Sequence, residues 1–115
     1  MTKIFEERPW GSFKVLLEEP GYKVKEITVK PHSKLSLQSH KHREEFWVTV
    51  QGTALALCEE TEHELKQGAS LHIPKGAKHR LINKTSEPVV IIETQLGDYL
   101  GEDDIERFED EYKRV

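Results

Sequence analysis

The 115-residue sequence lacks several features that mark particular classes of protein. Its single cysteine, Cys58, excludes an internal disulfide and suits a reducing compartment. No stretch approaches the ~18 consecutive apolar residues of a membrane span. The start of the chain also includes Glu6 and Glu7, where a secretion signal would be apolar. We therefore expect a cytoplasmic protein with no membrane partner, in which Cys58 is a buried structural thiol.

A cluster of basic residues is also lacking. The 17 lysines and arginines are scattered among 21 acidic residues, which gives a net charge of −4. This balance argues against nucleic acid as a partner but allows one or two cations to hold a small anion. Because the chain is short and shows no internal repeat, linker or low-complexity segment, residues 1–115 are predicted to form a single domain.

Short segments of alternating apolar residues, separated by turn residues, predict an all-β sandwich or barrel. The predicted strands are Gly11–Leu17, Tyr22–Val29, Leu35–His42, Phe46–Val50, Thr53–Cys58, His63–Lys66, Ser70–Ile73, Lys78–Asn83 and Val89–Gln95. The pattern then changes, because Ile105, Phe108 and Tyr112 have helical spacing behind a capping residue, Asp103. This part of the sequence predicts a short C-terminal helix packed on the flank of the barrel.

Histidines are concentrated on one face of the predicted strand Leu35–His42. Successive side chains of a strand point to opposite faces, so one face carries Ser36, Gln38, His40 and His42, and the other carries Leu35 and Leu37. Imidazoles beside the carboxylate of Glu45 favour one divalent ion of Zn, Mn, Fe, Co or Ni. The leucine row on the opposite face predicts a surface that needs covering, and hence a two-fold homodimer.

A second motif, Gly68-x5-Pro74-x-Gly76-x2-His79-x3-Asn83, strengthens the prediction of a metal site. Pro74-Lys75-Gly76 is a turn between two strands, and it delivers His79 to the inward face of the second. The spacing resembles the second motif of the cupin superfamily.

The first cupin motif fits in two registers, which share His40 and Glu45. In one register, Gln38-x-His40-x4-Glu45 supplies the ligands, and His32 takes the place of an opening glycine. In the other register, His40-x-His42-x2-Glu45 keeps both histidines but has a shorter spacer. The predicted ligands are therefore His40, Glu45 and His79, with either Gln38 or His42 as the fourth. His63 and His72 lie outside both motifs and are interpreted as an exposed hairpin residue and as a core or interface residue.

Longer stretches resemble one family, the type II mannose-6-phosphate isomerase domain, which follows a guanylyltransferase domain in bifunctional enzymes. The resemblance rests on Arg8-Pro9-Trp10-Gly11-Ser12-Phe13, Gly21–Pro31, Leu35-Ser36-Leu37-Gln38-x-His40-x-His42-Arg43-x-Glu45-x-Trp47, Ile73-Pro74-x-Gly76-x2-His79-Arg80-Leu81-x-Asn83 and Gly97–Asp110. Two positions depart from the family pattern: Phe46 replaces a frequent histidine, and His32 replaces a glycine. The Gly-rich nucleotide loop of the transferase is absent from these 115 residues, so no nucleotide transfer is expected of them.

The resemblance implies a cupin jelly-roll barrel that interconverts mannose 6-phosphate and fructose 6-phosphate with one divalent metal ion. His42 would be the catalytic base, and Lys25, Arg8 and Arg80 would contact the phosphate. An alternative is a non-catalytic cupin module that binds a metal and a sugar. A third possibility is a different cupin enzyme, such as a dioxygenase, although Gln38 as a ligand would be unusual there.

Overall fold

A computed structural model describes residues 4–109, which form twelve β-strands and contain no helix. All strand pairs are antiparallel, and the strands form two sheets. The first sheet has the order β1-β2-β3-β11-β6-β9, with strands Ile4–Arg8, Gly11–Glu19, Tyr22–Val29, Val89–Gly97, Arg43–Gln51 and Ser70–Ile73. The second has the order β12-β5-β10-β7-β8, with strands Glu106–Glu109, Leu37–Ser39, His79–Asn83, Ala54–Cys58 and Thr61–Leu65; β4 (Ser33–Lys34) also pairs with β10. Within residues 4–109, no helix is long and apolar enough to cross a membrane.

The inner faces of the two sheets form the core, and alternation along each strand decides which side chains enter it. On β6, Glu45, Trp47 and Thr49 are buried, whereas Phe46 and Val48 between them are exposed. The buried apolar side chains are Trp10, Phe13, Val15, Ile27, Val29, Trp47, Ala54, Ala56, Leu65, Ile73, Ala77, Leu81, Val89 and Ile91. The prediction of an all-β fold is therefore confirmed.

Two glycines allow backbone geometry that places functional residues. Gly76 has a φ of 79°, in the left-handed region that a Cβ disfavours, and it completes the turn before β10 that was predicted to deliver His79. At Gly97, which ends β11, a Cβ would collide with the carbonyl oxygen of His42. The segment after β11 can therefore approach the loop between β5 and β6.

The predicted C-terminal helix is wrong for the described residues, since Glu106–Glu109 forms strand β12. This strand pairs with β5, with Arg107 opposite Gln38. Pairing satisfies the backbone groups of β5, which would otherwise be an exposed edge. The proposed cap, Asp103, instead accepts a hydrogen bond from the Tyr99 hydroxyl. Tyr112, the last residue of the proposed helical face, lies outside the described residues.

The predicted strand Leu35–His42 is interrupted. Of its residues only Leu37–Ser39 (β5) form a strand, and β4 (Ser33–Lys34) precedes the predicted range, so the alternation of faces does not continue across Leu35 and Ser36. Leu35 packs against the hydrophobic core, and its N–H donates to the carbonyl of Leu81 at 2.9 Å. Leu37 is half-buried. The outward leucine row on which the homodimer was based is therefore not present.

Candidate metal centre

A cavity of about 140 Å³ opens between the two sheets. Its apolar lining includes Trp10, Phe13, Ile27, Leu35, Trp47, Leu81 and Ile105. Its polar and charged lining consists of Arg8, Lys25, Ser36, Gln38, His40, Arg43, Glu45, His79, Glu93, Glu102 and Arg107. So many ionisable groups around one buried space are expected at a binding or catalytic site rather than in a packed core.

His40, Glu45 and His79 come together at this cavity, as the two motifs predicted. One potential ligand atom from each residue lies within 4.8 Å of those of the other two. His40 Nε2 is 3.3 Å from Glu45 Oε2, and His79 Nε2 is 3.8 Å from Glu45 Oε1. All three residues are buried, with at most 3% of their surface exposed.

The backbone orients both imidazoles. His40 Nδ1 lies 2.7 Å from the carbonyl oxygen of Asp104, and His79 Nδ1 lies 2.9 Å from that of Ala77. A carbonyl can only accept, so each Nδ1 carries a proton and each Nε2 points to the carboxylate side, where a metal ion would use its lone pair. Two such lone pairs and a carboxylate match the donor set of a divalent transition metal or zinc, so these residues fit the predicted ion.

The two candidates for a fourth ligand lie in different places. Gln38 lines the cavity and is opposite His79 in the pairing of β5 with β10. Its Nε2 donates to Ser36 Oγ at 2.9 Å, which leaves Oε1 available as a donor atom for an ion. His42 is exposed, does not line the cavity, and has its ring edge-on to Tyr99 at a centroid distance of 6.0 Å. The structure thus brings Gln38, and not His42, beside the three shared residues.

Arg43 was not predicted as a site residue, yet it lies among the ligands. Its Nε donates to Glu45 Oε2 at 2.8 Å, and its Nη2 is 3.2 Å from His40 Nε2. Burial alone would raise the pKa of Glu45, but the charges of Arg43 and His79 outweigh it and lower that pKa. Burial, followed by the charges of Arg43 and His79, lowers the pKa of His40 to about 4. The sequence signal was the position of Arg43 two residues before Glu45, on the same face of β6.

Glu93 is a second site residue that sequence reasoning missed. It lies on the inward face of β11, where Trp47 Nε1 donates to its Oε1 at 3.1 Å and Gln95 Nε2 donates to its Oε2 at 2.7 Å. Burial and the nearby negative charge of Glu45 raise its pKa to about 7. The available signal was the alternation of Ile91, Glu93 and Gln95, which places the glutamate on the same face as a core residue.

The predicted phosphate contacts separate into two groups. Lys25 and Arg8 line the cavity, with Lys25 Nζ 4.2 Å and Arg8 Cζ 5.2 Å from the centroid of the Phe13 ring. Arg80 does not line it. Its guanidinium donates to the carbonyls of Leu35 at 2.8 Å and Glu109 at 3.0 Å, so it braces the backbone of the second sheet.

Both departures from the family pattern lie away from the metal ligands. Phe46 is on the outer face of the first sheet, where it stacks on His72 with ring centroids 4.6 Å apart. His72 is exposed on this face rather than buried in the core. His32 has a φ of 55°, which explains why glycine is typical at that position.

Three remaining predictions concern less central residues. His63 is half-buried on β8, in the predicted hairpin. Cys58 is half-buried against the core, and burial raises the pKa of its thiol, as suits a structural role. Asn83, which ends the second motif, donates to the carbonyls of Val29, Lys30 and Glu87 and so fixes the loop after β10.

Comparisons with known proteins agree with this architecture. Alginate biosynthesis protein AlgA of Pseudomonas putida is 51% identical over 108 residues, which are 94% of this chain and 22% of that protein. Mannose-1-phosphate guanylyltransferase ManC of Salmonella typhimurium is 46% identical over 94% of this chain and 22% of its own length. The chain thus spans about a fifth of the length of these relatives.

A solved sugar phosphate isomerase of the cupin superfamily from Silicibacter pomeroyi has a TM-score of 0.66 and 22% identity, over 74% of this chain and 58% of its own. At that identity the likeness concerns the fold, and it confirms the predicted cupin barrel. The family model described as mannose-6-phosphate isomerase C-terminal matches residues 2–110. The chain therefore belongs to the family of mannose-6-phosphate isomerase C-terminal domains.

Proposed function

We propose that this chain interconverts mannose 6-phosphate and fructose 6-phosphate with one bound divalent metal ion. The observation that carries the proposal is a single cavity lined both by the His40, Glu45 and His79 donor set and by cations that include Lys25 and Arg8. A phosphorylated sugar needs both features: oxygens that can be polarised at one end and cationic partners for its phosphate at the other.

His40, Glu45 and His79 would hold the metal, and Gln38 is the proposed fourth ligand because it lies beside them. When bound, the metal would supply Lewis-acid stabilisation of negative charge on the sugar oxygens. Arg43 donates to Glu45 Oε2 and lies 3.2 Å from His40 Nε2, the atoms that would face the metal, so its guanidinium would turn away from them when the ion binds.

An aldose–ketose isomerisation also needs a group that moves a proton between C1 and C2, within hydrogen-bond reach of the substrate. The sequence predicted His42, which lies outside the cavity. Glu93 lines the cavity and presents a carboxylate beside Glu45 and Trp47. We therefore assign the proton transfer to an oxygen of Glu93, with Trp47 and Gln95 holding the carboxylate in place.

A coupled assay for fructose 6-phosphate formation tests this function. The chelator-treated chain should be inactive, and one of Zn, Mn, Fe, Co or Ni should restore turnover of mannose 6-phosphate. His79→Ala should abolish turnover, and His63→Ala, outside the cavity, should preserve it. A protein that binds metal and mannose 6-phosphate but forms no product would contradict the proposal and favour the metal- and sugar-binding module.

A further inference from the structure

Glu102, in the segment between β11 and β12, reaches two buried lysines, of which Lys25 lines the cavity. Its Oε2 lies 2.7 Å from Lys25 Nζ and 3.3 Å from Lys23 Nζ. Each lysine side chain is only 6% exposed, whereas that of Glu102 is 47% exposed. The carboxylate of Glu102 is therefore half-exposed to solvent, whereas the two ammonium groups are buried.

A buried ammonium group needs a counter-charge, because it has lost most of its hydration. Burial would raise the pKa of Glu102, but the charges of Lys25 and Lys23 outweigh burial and lower that pKa. Glu102 is therefore anionic at neutral pH. Its carboxylate is a built-in anion at a place where a charged ligand could also bind.

The two lysines depend on Glu102 to different degrees. Lys23 also donates to the carbonyl of Leu100 at 2.7 Å and lies 3.7 Å from Glu18. For Lys25, the described salt-bridge partner is Glu102. Its ammonium group also lies over the Phe13 ring, and Glu93, opposite it on β11, interacts with its charge without an ion-pair contact. If Glu102 moved away, Lys25 would lose its salt-bridge partner, whereas Lys23 would keep the Leu100 carbonyl and Glu18.

Arg8 makes this place more suitable for phosphate than for a carboxylate. Its guanidinium and Lys25 line the same cavity and both contact the Phe13 ring, and Arg8 is otherwise paired with the half-buried Glu6 at 2.9 Å. A phosphate monoester offers three acceptor oxygens and close to two negative charges, so it balances two cations more fully than one carboxylate does.

We propose that Glu102 occupies a phosphate subsite formed by Lys25 and Arg8, and that the phosphate group of the ligand displaces it. The inference rests on the proposed function in taking a phosphorylated sugar as the ligand. Glu102 then has a specificity role: a neutral sugar cannot displace it from Lys25, whereas a sugar phosphate can.

Calorimetric titration of inorganic phosphate into the metal-free chain, in a chloride buffer, tests the displacement. Because Glu102→Gln removes the competing charge, it should bind phosphate at least about tenfold more tightly than the parent. Glu60→Gln, which removes one charge from an exposed hairpin turn, should leave phosphate affinity unchanged. Adding Lys25→Met to Glu102→Gln should cancel the gain.

An ion pair that only supports the fold predicts the opposite pattern. In that case folded Glu102→Gln would bind phosphate as weakly as the parent or more weakly, and the proposal would be overturned. Absence of phosphate binding by both proteins would overturn it as well.

Should Glu102→Gln fail to fold, the parent chain supplies the test. Its Glu102 carboxyl carbon, followed by NMR, should shift with phosphate and saturate at the same concentration as binding. A Glu102 signal that stays fixed while phosphate binds would overturn the proposal. These experiments measure binding alone, so an inactive chain could still show displacement, and an active isomerase could lack it.

Discussion

His40 Nδ1 lies 2.7 Å from the carbonyl oxygen of Asp104, a residue 64 positions further along the chain. The carboxylate of Asp104 also accepts hydrogen bonds from the N–H groups of Lys41 and His42, at 3.0 and 2.9 Å. One residue of the last described loop therefore holds the loop that presents a metal ligand. The ring of His40 is fixed with Nε2 toward Glu45 before any ion binds.

Metal binding should depend on His79. Elemental analysis of the purified parent should find about one divalent ion per chain, and His79→Ala should lose most of it. Loss of a direct ligand should exceed the ~10–100-fold weakening that is typical when a partner of a ligand is removed. His63→Ala is the matched control and should keep its metal. Full retention by His79→Ala would rule out this site.

The fourth ligand should be Gln38 rather than His42. Gln38→Ala should weaken metal binding, since Gln38 lines the cavity opposite His79. His42→Gln should leave the metal content unchanged, since its side chain is exposed. Competition titrations with a chelator would measure both affinities. The reverse pattern would establish the register in which His40 and His42 are paired.

Turnover should depend on Glu93 more than on His42. Glu93→Gln keeps the shape of the side chain but cannot take up a proton, so kcat should fall by about 10²–10⁴. The metal content should stay near that of the parent, which separates a catalytic effect from loss of the ion. His42→Gln, assayed in parallel for fructose 6-phosphate, should keep most of its activity. A large loss in His42→Gln with normal metal would return the base role to His42.

The Glu102 ion pairs should make stability fall in acid. The folded-state pKa of Glu102 lies below its ordinary value of 4.5, so its contribution is full above that pH. The contribution is lost as the pH falls through the lower folded-state pKa. Urea denaturation should therefore show a gap in unfolding free energy between the parent and Glu102→Gln at pH 7 that narrows near pH 3. An unchanged gap would mean that the ion pairs contribute nothing to stability.

The homodimer remains a prediction, and the interface is now predicted on the outer face of the first sheet. Tyr22, Phe46, Val48, Val50 and Leu96 are each 37–40% exposed there. The six strands of this sheet, of four to nine residues each, present an outer face of about 700 Å², close to the ~800 Å² that each partner buries in a stable complex. Val48→Asp should convert a dimer to a monomer, and light scattering would measure the mass. A monomeric parent at micromolar concentration would contradict the prediction, and a face covered by another domain of a longer protein would explain it.

The parts of this molecule that could be predicted from sequence are those set by local chemistry. Alternation marks strands, and the Pro74–Gly76 turn aims His79 inward because a proline and a glycine restrict the backbone there. Arg43 and Glu93 were missed because a charged residue in a strand is normally assigned to the solvent face. Only the assembled barrel shows that their inward positions meet across β6 and β11.

The prediction of a helix in the C-terminal segment failed for a different reason. Ile105 and Phe108 have helical spacing, but β5 offers unpaired backbone groups that attract the segment as a strand. Such long-range competition leaves no trace in local periodicity. Similarly, the break after β4 reversed the orientation of Leu35, and sequence alternation alone could not locate that break.

The span between His40 and Asp104 has a consequence for how the barrel is completed. Contacts between residues so distant in sequence slow folding, since a long loop must close before they bring any gain. His40 is held in place only after the segment that carries Asp104 has docked, so metal would bind only chains whose final loop and strand are in place. The rate of metal uptake during refolding would therefore report the rate at which the C-terminal segment closes the barrel. A change that loosens β12 should be seen first as faster escape of the ion, before any loss of the sheets themselves.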